Sequence, residues 1–573
     1  MLVPKLITTF KEGYSFKHFR QDAMSGIIVG IVALPLAIAF AIASGVGPER
    51  GLITAVIAGF IISAFGGSRV QIGGPTGAFV VIVYGIVQKY GIDGLLTATF
   101  MGGIILVLFG FAKFGNIIKF IPRPVIMGFT SGIAVLIFSS QIKDFFGLDI
   151  PSLPAEFIDK FKACFEAAGT FNLSAFLVGI STIAIMLIWQ SRIKKIPGSL
   201  VAIIAVTVVA QYYNLPVETI GDRFGTIPNS LPWPTMPKIS FPLVKALIQP
   251  AFVIAILAGI ESLLSAVVAD GMTGGKHRSN MELIAQGGAN IASSLFGGIP
   301  ATGAIARTAV NVHNGGRTPV AGIVHSFTVL AIMIFLAKWA TLIPLPCLAG
   351  ILVIVAYRMG EWHSFISLLR SPKSDVMVLL ATFLLTILVD LTVAIQIGMV
   401  LAAFLLVYRL SSTSGVRVIT ATLKENEEEA YDPNSIDLRE VPEGVEVFEI
   451  TGPFFFGMAE SFTEIMSNIT QKPKVRILRM RNALSIDATA LNALKHIVNF
   501  SRSKNITLIL SGVHAQPLMA LHSTGLYKEI GEEMIFGNID GALNKAREII
   551  GLPPVPRPGP FVPSVKRESH LDD

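Results

Sequence analysis

Long apolar runs follow one another through the first 410 residues of this 573-residue chain. A helix that crosses the hydrocarbon core of a bilayer needs about 20 mostly apolar residues. Runs of this kind lie near residues 23–44, 51–66, 95–112, 124–142, 174–190, 198–213, 248–269, 281–296, 318–342, 345–357, 374–391 and 393–410. Two further segments, 75–88 and 303–314, are shorter and begin with proline or glycine. We therefore predict an α-helical membrane protein with about fourteen membrane segments.

The composition excludes several other classes of protein. Charged residues make up only 14% of the chain, whereas a soluble domain usually has about 25%. The net charge of +7 falls largely in short loops without interleaved aromatic residues, so we expect no nucleic acid partner. No nucleophile, base and metal-ligand set is visible, and the two cysteines, Cys164 and Cys347, are far apart. We therefore expect no enzyme, no metal site and no cofactor besides a coupling ion.

The positive charges predict an orientation, because cytoplasmic loops are enriched in Lys and Arg. We expect the protein in the inner (plasma) membrane of the cell, with residues 1–22 in the cytoplasm. Because the number of membrane segments is even, the C-terminus then also lies in the cytoplasm. The longer stretches 143–173 and 214–247 then lie outside, and we expect little helix in them. The short outer loops contain Arg50, Lys89 and Lys338, and the inner loops contain Arg69, Lys113, Lys119, Arg123, Arg192, Lys194, Lys195, Lys276, Arg278, Arg317, Arg358, Arg370 and Lys373.

The composition changes after Leu410. Residues 412–440 are polar and acidic, which predicts a linker. Residues 441–551 alternate apolar runs such as VRILRM and ITLILSG with amphipathic stretches such as DATALNALKHIVNFS. That alternation predicts a small α/β domain with a buried sheet. The tail, residues 552–573, is rich in proline and is predicted to be disordered.

One sequence unit occurs twice in the membrane part. The first copy has FGG at 65–67 and GGPTGA at 73–78, and the second has FGG at 296–298 and IPATGA at 299–304. Each copy follows an apolar helix and opens one of the shorter segments. Paired short segments interrupted by Gly and Pro mark the substrate site in transporters built from inverted repeats.

The two copies divide the membrane domain, residues 23–411, into repeats of about 23–213 and 248–411. With about seven segments in each repeat, an odd number, the repeats must have opposite orientations in the bilayer. We therefore predict a 7+7 inverted repeat, with one broken membrane helix at the corresponding position of each half.

The broken helices predict an anion site. Pro75 and Pro300 suit the first turn of a helix, because proline lacks an N–H and has a preset φ. A helix that starts near mid-membrane points unpaired N–H groups and about half a positive charge into the adjacent cavity. Two such starts that face one another bind an anion without lysine, and Thr76 and Thr302 could add hydroxyl donors. The alternative is that both segments are tight turns that let helices pack closely.

Two charged residues lie inside predicted membrane segments. Glu261 is near the middle of FVIAILAGIESLLSAVV, and intramembrane acids are functional candidates by default. It is a candidate for proton coupling, with Ser265 one turn later as a second cation ligand; the alternative is a structural hydrogen bond. Arg307 lies one turn into the second short segment. It either attracts the anion or neutralises Glu261 in a structural ion pair.

These residues resemble the SulP/SLC26 family of anion transporters, whose members have a membrane domain of core and gate parts and a cytoplasmic STAS domain. The resemblance rests on GGSRVQIGGPTGAFVVIVYG, PRPVIMGFTSGIAVLIFSSQIKDFFG, IESLLSAVVADGMTGGKHRSNMELIAQGGANIASSLFGGIPATGAIARTAVN and FEITGPFFFGMAE. Among members, the DGMTGGKH and IARTAVN stretches are most similar to the bacterial C4-dicarboxylate transporters. The resemblance also implies a homodimer in the lipid bilayer.

The resemblance implies roles for matching residues. Glu261 matches an acidic position used in cation coupling. The sodium-coupled bicarbonate members differ, because they have Asp and Thr at Glu261 and Ser265 and lack the arginine; this favours protons over sodium. The expected cation-coupling residues are Glu261 and Ser265, and the expected substrate-binding residues are Phe40, Pro75, Thr76, Gly77, Thr302, Gly303, Ala304, Ile305, Ala306 and Arg307.

In the STAS domain, the segment that matches the phosphorylated site of related domains is Asp487, Ala488 and Thr489. The usual Ser-Gly is missing, so we expect a regulatory, dimer-stabilising or partner-binding domain in place of a phosphorylation switch.

The combined prediction is a secondary active transporter for sulfate or a C4-dicarboxylate such as succinate, fumarate or aspartate, driven by protons through an elevator movement. A bicarbonate or chloride carrier or exchanger is the alternative within the class. An anion channel, an anion sensor that signals through the STAS domain, and a nucleobase permease on the same fold are the alternatives outside it.

Overall fold

The computed structural model describes residues 2–116, 122–151, 153–192, 198–389, 391–413, 415–419, 439–467 and 473–556. The chain divides into two compact units, Met1–Ala402 and Ala403–Asp573. The predicted disordered tail lies almost wholly outside the described residues, as does most of the predicted linker.

The described residues of the first half of the membrane unit contain a short N-terminal helix, seven longer helices, a five-residue helix and a two-residue strand. The order is α1 (Lys5–Lys11), α2 (Phe16–Ala43), α3 (Pro48–Phe65), β1 (Gly73–Gly74), α4 (Val80–Phe111), α5 (Arg123–Phe146), α6 (Phe157–Glu166), α7 (Leu173–Arg192), α8 (Gly198–Tyr212) and the five-residue α9 (Ile220–Phe224). A 3-10 turn at Gly77–Phe79 leads into α4.

The second half repeats this order. It contains α10 (Phe241–Thr273), α11 (Ser279–Leu295), β2 (Thr302–Gly303), α12 (Ile305–His313), α13 (Pro319–Ala340), α14 (Leu345–Met359), α15 (Trp362–Leu368), α16 (Lys373–Leu388) and α17 (Leu391–Thr413).

The predicted inverted repeat is confirmed in these elements. By length and composition, eight helices of the described residues can cross a bilayer, and α7 and α8 are shorter apolar helices. α4 supplies two segments, because Gly91 interrupts its helical backbone with a φ of 67°. Seven segments then precede residue 213, and seven follow α9.

Two details differ from the sequence prediction. The segments predicted at 75–88 and 95–112 join into one kinked helix, α4. The stretch 143–173, in which little helix was expected, contains α6. α6 has too few apolar residues to be recognised as a membrane span. It is also so short that its amphipathic pattern could not be distinguished from the sequence of a loop.

The membrane helices pack in two groups. One group comprises α2, α3, α4, α10, α11, α12 and α13, and the other comprises α5, α7, α8, α14 and α16. Within the first group, α4 and α11 cross at glycines, where a Cβ on Gly103 would lie 2.7 Å from the carbonyl oxygen of Gly287. Small residues at such crossings let membrane helices approach closely.

The second unit is an α/β domain, as predicted. Its sheet has the order β3 (Gly415–Ile419), β4 (Val445–Thr451), β5 (Val475–Asn482), β6 (Thr507–Ser511) and β7 (Ile535–Phe536), with β3 antiparallel to β4 and the other neighbours parallel. Its helices are α18 (Phe456–Ser467), α19 (Ala488–Ser503), α20 (Ala515–Ser523), α21 (Leu526–Ile530) and α22 (Ile539–Ile550).

The central strands of this sheet bury side chains on both faces. In β4, Phe448 and Ile450 join one apolar cluster, and Val445 and Val447 join another. The strand β3 was not predicted and lies inside the expected linker. Its pairing with β4 depends on residues about thirty positions away in the chain, so local composition did not reveal it.

The crossing of α4 and α11 gives a direct test of this packing. We expect Gly103→Ala to lower the melting temperature of the detergent-purified protein, because overpacking costs about 1–3 kcal/mol. Gly85→Ala, on the same helix, is the matched control, since no atom lies within 4 Å of its Cβ position. An equal effect of the two substitutions would contradict the close crossing.

Candidate functional site

A two-stranded ribbon inside the membrane unit joins the two repeats. Gly73 pairs with Gly303, and Gly74 pairs with Thr302, in antiparallel register. Both strands need glycine. Gly74 has a φ of 150°, and a Cβ there would overlap the guanidinium of Arg307. A Cβ on Gly303 would overlap the side-chain amide of Gln71.

The first broken helix starts directly after this ribbon. Thr76 is still extended, with a φ of −128° and a ψ of 160°, and Gly77–Phe79 forms a 3-10 turn. The backbone N–H of Phe79 donates to the carbonyl of Thr76 at 3.3 Å. The N–H groups of Gly77 and Ala78 have no partner among the described residues. The helix therefore begins with free donors, as predicted from its Gly-Pro sequence.

The second broken helix, α12, starts in the same way. The N–H of Ala304 donates to the carbonyl of Ile72 at 2.8 Å, which fixes the chain as it leaves the ribbon. In the described part of the chain, the N–H groups of Ile305, Ala306 and Arg307 have no acceptor. Side chains of Ile305 and Ala306 are exposed. Both repeats thus present a helix N-terminus within three residues of the ribbon.

The long helix α10 holds this arrangement in place. The hydroxyl of Thr302 donates to the carbonyl of Ala258 at 2.9 Å, and the amide of Gln71 donates to the carbonyl of Ser262 at 2.9 Å. The hydroxyls of Ser265 and Thr308 lie 3.2 Å apart. In this conformation the hydroxyls of Thr302 and Ser265 therefore form structural hydrogen bonds. Thr302 has no hydroxyl proton left to donate to a ligand.

Glu261 projects from the same helix toward the first broken helix. Its Oε2 atom accepts a hydrogen bond of 3.0 Å from the hydroxyl of Thr76. Glu261 is half-buried. An acidic group predicted as a coupling residue and a hydroxyl predicted as an anion donor are therefore in direct contact.

Arg307 lies behind the ribbon. Its side chain is only 2% exposed, and its Nη2 atom donates to the carbonyl of Pro75. The Nη1 atom has no hydrogen-bond partner in the described structure, and the guanidinium forms no ion pair with Glu261 among the described contacts. The alternative of an Arg307–Glu261 ion pair is therefore wrong for this conformation. Arg307 instead ties the second broken helix to the start of the first.

Aromatic and apolar side chains cover the start of the first broken helix. A Cβ on Gly77 would meet Phe40 at 3.3 Å, Ile137 at 3.3 Å and the sulfur of Met359 at 3.2 Å. Phe40 was expected here from the resemblance to the family. Ile137 and Met359 were not, because nothing distinguishes them locally from lipid-facing or core residues. They come from α5 and α14, in the other helix group.

Buried polar residues of α11 support the loops that precede both broken helices. Asn290 donates to the carbonyl of Ala301 at 2.8 Å and accepts from its N–H at 2.9 Å. Glu282, which is fully buried, accepts from the N–H groups of Gly67 and Ser68 at 2.8 and 3.0 Å. The sequence analysis did not assign Glu282 a role, although a carboxylate within an apolar helix was a usable signal.

The fold and the site define a membrane carrier built from two inverted repeats that meet at broken helices. Residues 19–382 match the model of the sulfate permease family, and residues 438–542 match the STAS domain. The chain belongs to the sulfate permease family and ends in a STAS domain.

Relatives support this assignment along almost the whole chain. "Putative sulfate transporter YvdB" of Bacillus subtilis is 44% identical over 531 residues, covering 92% of this chain and 98% of the relative. Bicarbonate transporter BicA of Picosynechococcus is 30% identical over 561 residues, covering 96% of this chain and 98% of the relative.

Solved structures show the same fold. The murine Solute Carrier 26 family member A9 anion transporter, in the inward-facing state, has a TM-score of 0.86 at 18% identity, over 96% of this chain and 94% of the other. The transmembrane domain of a cyanobacterial bicarbonate transporter BicA has a TM-score of 0.62 at 31% identity, over 69% and 100%. As a member of the sulfate permease family, the protein is a multi-pass membrane anion transporter.

The ribbon geometry predicts a specific genetic interaction. Gly303→Ala should lower the melting temperature, because its Cβ overlaps Gln71, and overpacking costs about 1–3 kcal/mol. Shortening Gln71 to Ala in the same chain should recover part of that loss, giving a favourable coupling in the double-mutant cycle. Gly288→Ala is the control, with its nearest neighbour 3.9 Å from the Cβ position. Strict additivity of the two ribbon substitutions would refute the contact.

Proposed function

We propose that this protein is a secondary active transporter that takes up a divalent anion, sulfate or a C4-dicarboxylate such as succinate, fumarate or aspartate, together with protons. The observation that supports this best is the contact of Glu261 with Thr76 at the free start of a broken helix. One side chain there can bind a proton, and its neighbour can donate to an anion.

The anion-binding part of the proposal rests on the two broken helices. Each contributes unpaired N–H groups and roughly half a positive charge. The guanidinium of Arg307, which donates to the carbonyl of Pro75, adds a positive charge next to the start of the first broken helix. Oxygen atoms of sulfate and of carboxylates accept N–H donors equally well. In this proposal Arg307 does not touch the anion. It positions the start of the first broken helix, and its electric field attracts the anion.

The coupling part rests on which group donates in the Thr76–Glu261 hydrogen bond. While Glu261 is ionised, it accepts the hydroxyl proton of Thr76, and its negative charge repels an incoming anion. Once Glu261 is protonated, its own O–H donates to the Thr76 oxygen. The Thr76 hydroxyl proton is then free for the anion, and the repulsion is gone. Proton binding and anion binding therefore favour each other, as symport requires.

Sodium remains the alternative coupling ion. Glu261 and Ser265 are one turn apart on α10, so both oxygens could reach one cation after a rotation of Ser265 away from Thr308. A proton needs no such rotation, because Glu261 already forms a hydrogen bond with Thr76 while Ser265 is engaged with Thr308. We favour the proton on this ground.

The two helix groups supply the bodies of an elevator movement. The group with α10 and α12 contains both broken helices, Glu261 and Arg307, and would move as the core. The group with α5 and α14 would stay as the gate, with Ile137 and Met359 closing over Gly77. A core that moves as one body keeps both helix starts at constant geometry around the anion.

Bicarbonate or chloride is the second candidate substrate. The name of the BicA relative supports bicarbonate, and the same free N–H groups would bind it. A channel, or a sensor that signals through the STAS domain, would use the same anion site without proton coupling. We further propose a homodimer in the cell inner membrane with both termini in the cytoplasm, where the STAS domain meets a regulatory protein.

Glu261→Gln tests the coupling. The amide cannot exchange a proton, so uptake into proteoliposomes driven by an inward proton gradient should fall to the level without a gradient. Exchange of labelled for unlabelled anion at equal pH should persist, because it needs no net proton movement. Glu166→Gln, an exposed carboxylate on α6, is the matched control. Gradient-driven uptake by the Glu261 variant would rule out this assignment.

Thr76→Val tests the anion contact separately. Losing a hydrogen bond to a charged group costs about 1.5–3 kcal/mol, so KM for the transported anion should rise roughly tenfold to hundredfold. Thr76→Ser keeps the hydroxyl and should transport with nearly unchanged KM. The assay is initial uptake of labelled sulfate, succinate, bicarbonate and chloride in turn. Equal KM values for the Val and Ser variants would show that the hydroxyl does not contact the anion.

A further inference from the structure

A cavity lies beside the C-terminal end of α2 in the membrane unit. It has a volume of about 240 Å³, which is room for a small anion and several water molecules. The end of α2, the first turns of α4 and the last turns of α5 form its walls, together with α6 and α9. It reaches Val80 and Val81, one turn beyond the broken-helix start at Gly77. The cavity therefore adjoins the proposed transport site.

Lys160 of α6 lines this cavity in an unusual way. α6 exposes Ile158, Phe161 and Phe165, which are 67%, 42% and 84% exposed, yet Lys160 is only 5% exposed. An amphipathic helix normally buries its apolar face and exposes its lysines. Burying an ammonium group is costly unless it is paired. A helix that turns its lysine inward and its aromatic rings outward therefore points to a ligand for that lysine.

No protein group among the described residues satisfies Lys160. Its Nζ atom has no hydrogen-bond or ion-pair partner there. The other cations of the cavity are engaged. Arg223 binds Asp144 through two hydrogen bonds of 2.8 and 3.2 Å and also binds Glu218. Lys143 donates to the carbonyl of Ile150.

The electrostatic balance of the cavity is positive. Its described lining includes Lys143, Lys160 and Arg223 but only one carboxylate, Asp144. Asp144 is already held by Arg223. The lining also contains the side-chain amide of Gln88, whereas the hydroxyl proton of Ser140 is already donated to the carbonyl of Ile137. An oxyanion would therefore find the ammonium group of Lys160 without a partner among the described residues, and the amide of Gln88 in the same lining.

We infer that this cavity is a second anion-binding site, in which Lys160 holds a small oxyanion such as sulfate or a carboxylate before it reaches the broken helices. The inference rests on the proposed function, because the anion held at Lys160 is the one transported. The site differs from the first in using a side-chain cation, whereas the first uses backbone N–H groups.

The protonation of Lys160 gives the site a pH dependence. Burial lowers the pKa of Lys160 to about 8, with the thiol of Cys164 acting in the opposite direction. The ammonium form therefore predominates at pH 7 and is mostly lost at pH 9. The charged or titratable groups around Lys160 are the N-cap residue Glu156, Asp159, Lys162, Cys164 and Glu166 of α6, Tyr84 of α4, Lys143 and Asp144 of α5, and Arg223 of α9 with its partner Glu218.

Binding of radiolabelled sulfate to the full-length protein in detergent tests the site directly. We expect two sulfate ions per chain for the unmodified protein and one for Lys160→Gln. Thr76→Val should weaken sulfate binding at the other site roughly tenfold to hundredfold and leave the Lys160 site unchanged. Lys162→Gln, an exposed lysine on the same helix, is the matched control and should keep both. An unchanged number of bound sulfate ions in Lys160→Gln would overturn the inference, and the melting temperature checks that this variant is folded.

Transport kinetics give the second test. Lys160→Gln should raise KM for external sulfate in intact cells by roughly tenfold to hundredfold, as expected for the loss of one hydrogen bond to a charged group. In inside-out vesicles KM should be unchanged. Lys160→Arg keeps its charge at pH 9, so the rise in external KM between pH 7 and pH 9 should be smaller than for the unmodified protein. Equal changes of KM on both faces would overturn the inference.

The two tests separate this inference from the proposed function. One outcome is that the unmodified protein does not transport sulfate, whereas Lys160→Gln binds one sulfate ion fewer than the unmodified protein. The transport proposal then fails and the second site stands. If transport depends on Thr76 and Glu261 but Lys160→Gln changes neither binding nor external KM, the transport proposal stands and the second site fails.

Discussion

The four-residue ribbon between Gly73–Gly74 and Thr302–Gly303 is the contact on which the membrane unit depends. A chain that leaves helical geometry inside a bilayer exposes backbone N–H and C=O groups, and each unsatisfied group costs several kcal/mol there. Pairing one broken segment with the other satisfies these groups mutually. Neither repeat could keep its interruption alone, so the ribbon also makes the two halves a single folding unit.

Polar side chains of α11, and Thr302 of the ribbon itself, form hydrogen bonds with the backbone groups that the ribbon leaves unpaired. Asn290 binds both backbone groups of Ala301, Glu282 binds the loop at Gly67, and Thr302 binds the backbone of α10. After this, the backbone donors without partners in the described residues around the ribbon are those at the helix starts near Gly77 and Ile305, beside the unpartnered Nη1 atom of Arg307. The surrounding side chains thus form hydrogen bonds with the other backbone groups and leave only a few N–H donors available to an anion.

Sequence patterns predicted the repeated architecture, both broken helices and the position of Glu261, because each depends on local signals such as apolar length, Gly-Pro interruptions or a charge within an apolar run. Phe40 was expected only from the resemblance to the family. Features that depend on distant partners were missed or left open. The strand β3 forms only by pairing with β4, and Met359 is part of the site only because it lies against Gly77. The choice between two roles for Arg307 depends on its hydrogen bond to Pro75. The burial of Lys160 was also hidden, because α6 has too few residues to show which face packs inward.

Glu261 is the one carboxylate that touches the broken helices among the described residues, and this has an electrical consequence. A cycle that moves one proton with a divalent anion carries one net negative charge inward. Against an inside-negative potential that charge costs about 2.3 kcal/mol per 100 mV, whereas each unit of pH gradient returns about 1.4 kcal/mol. Between one and two pH units are then needed to offset 100 mV. A monovalent anion moved with the same proton would carry no net charge, so membrane voltage would discriminate between anions that the site itself binds equally well.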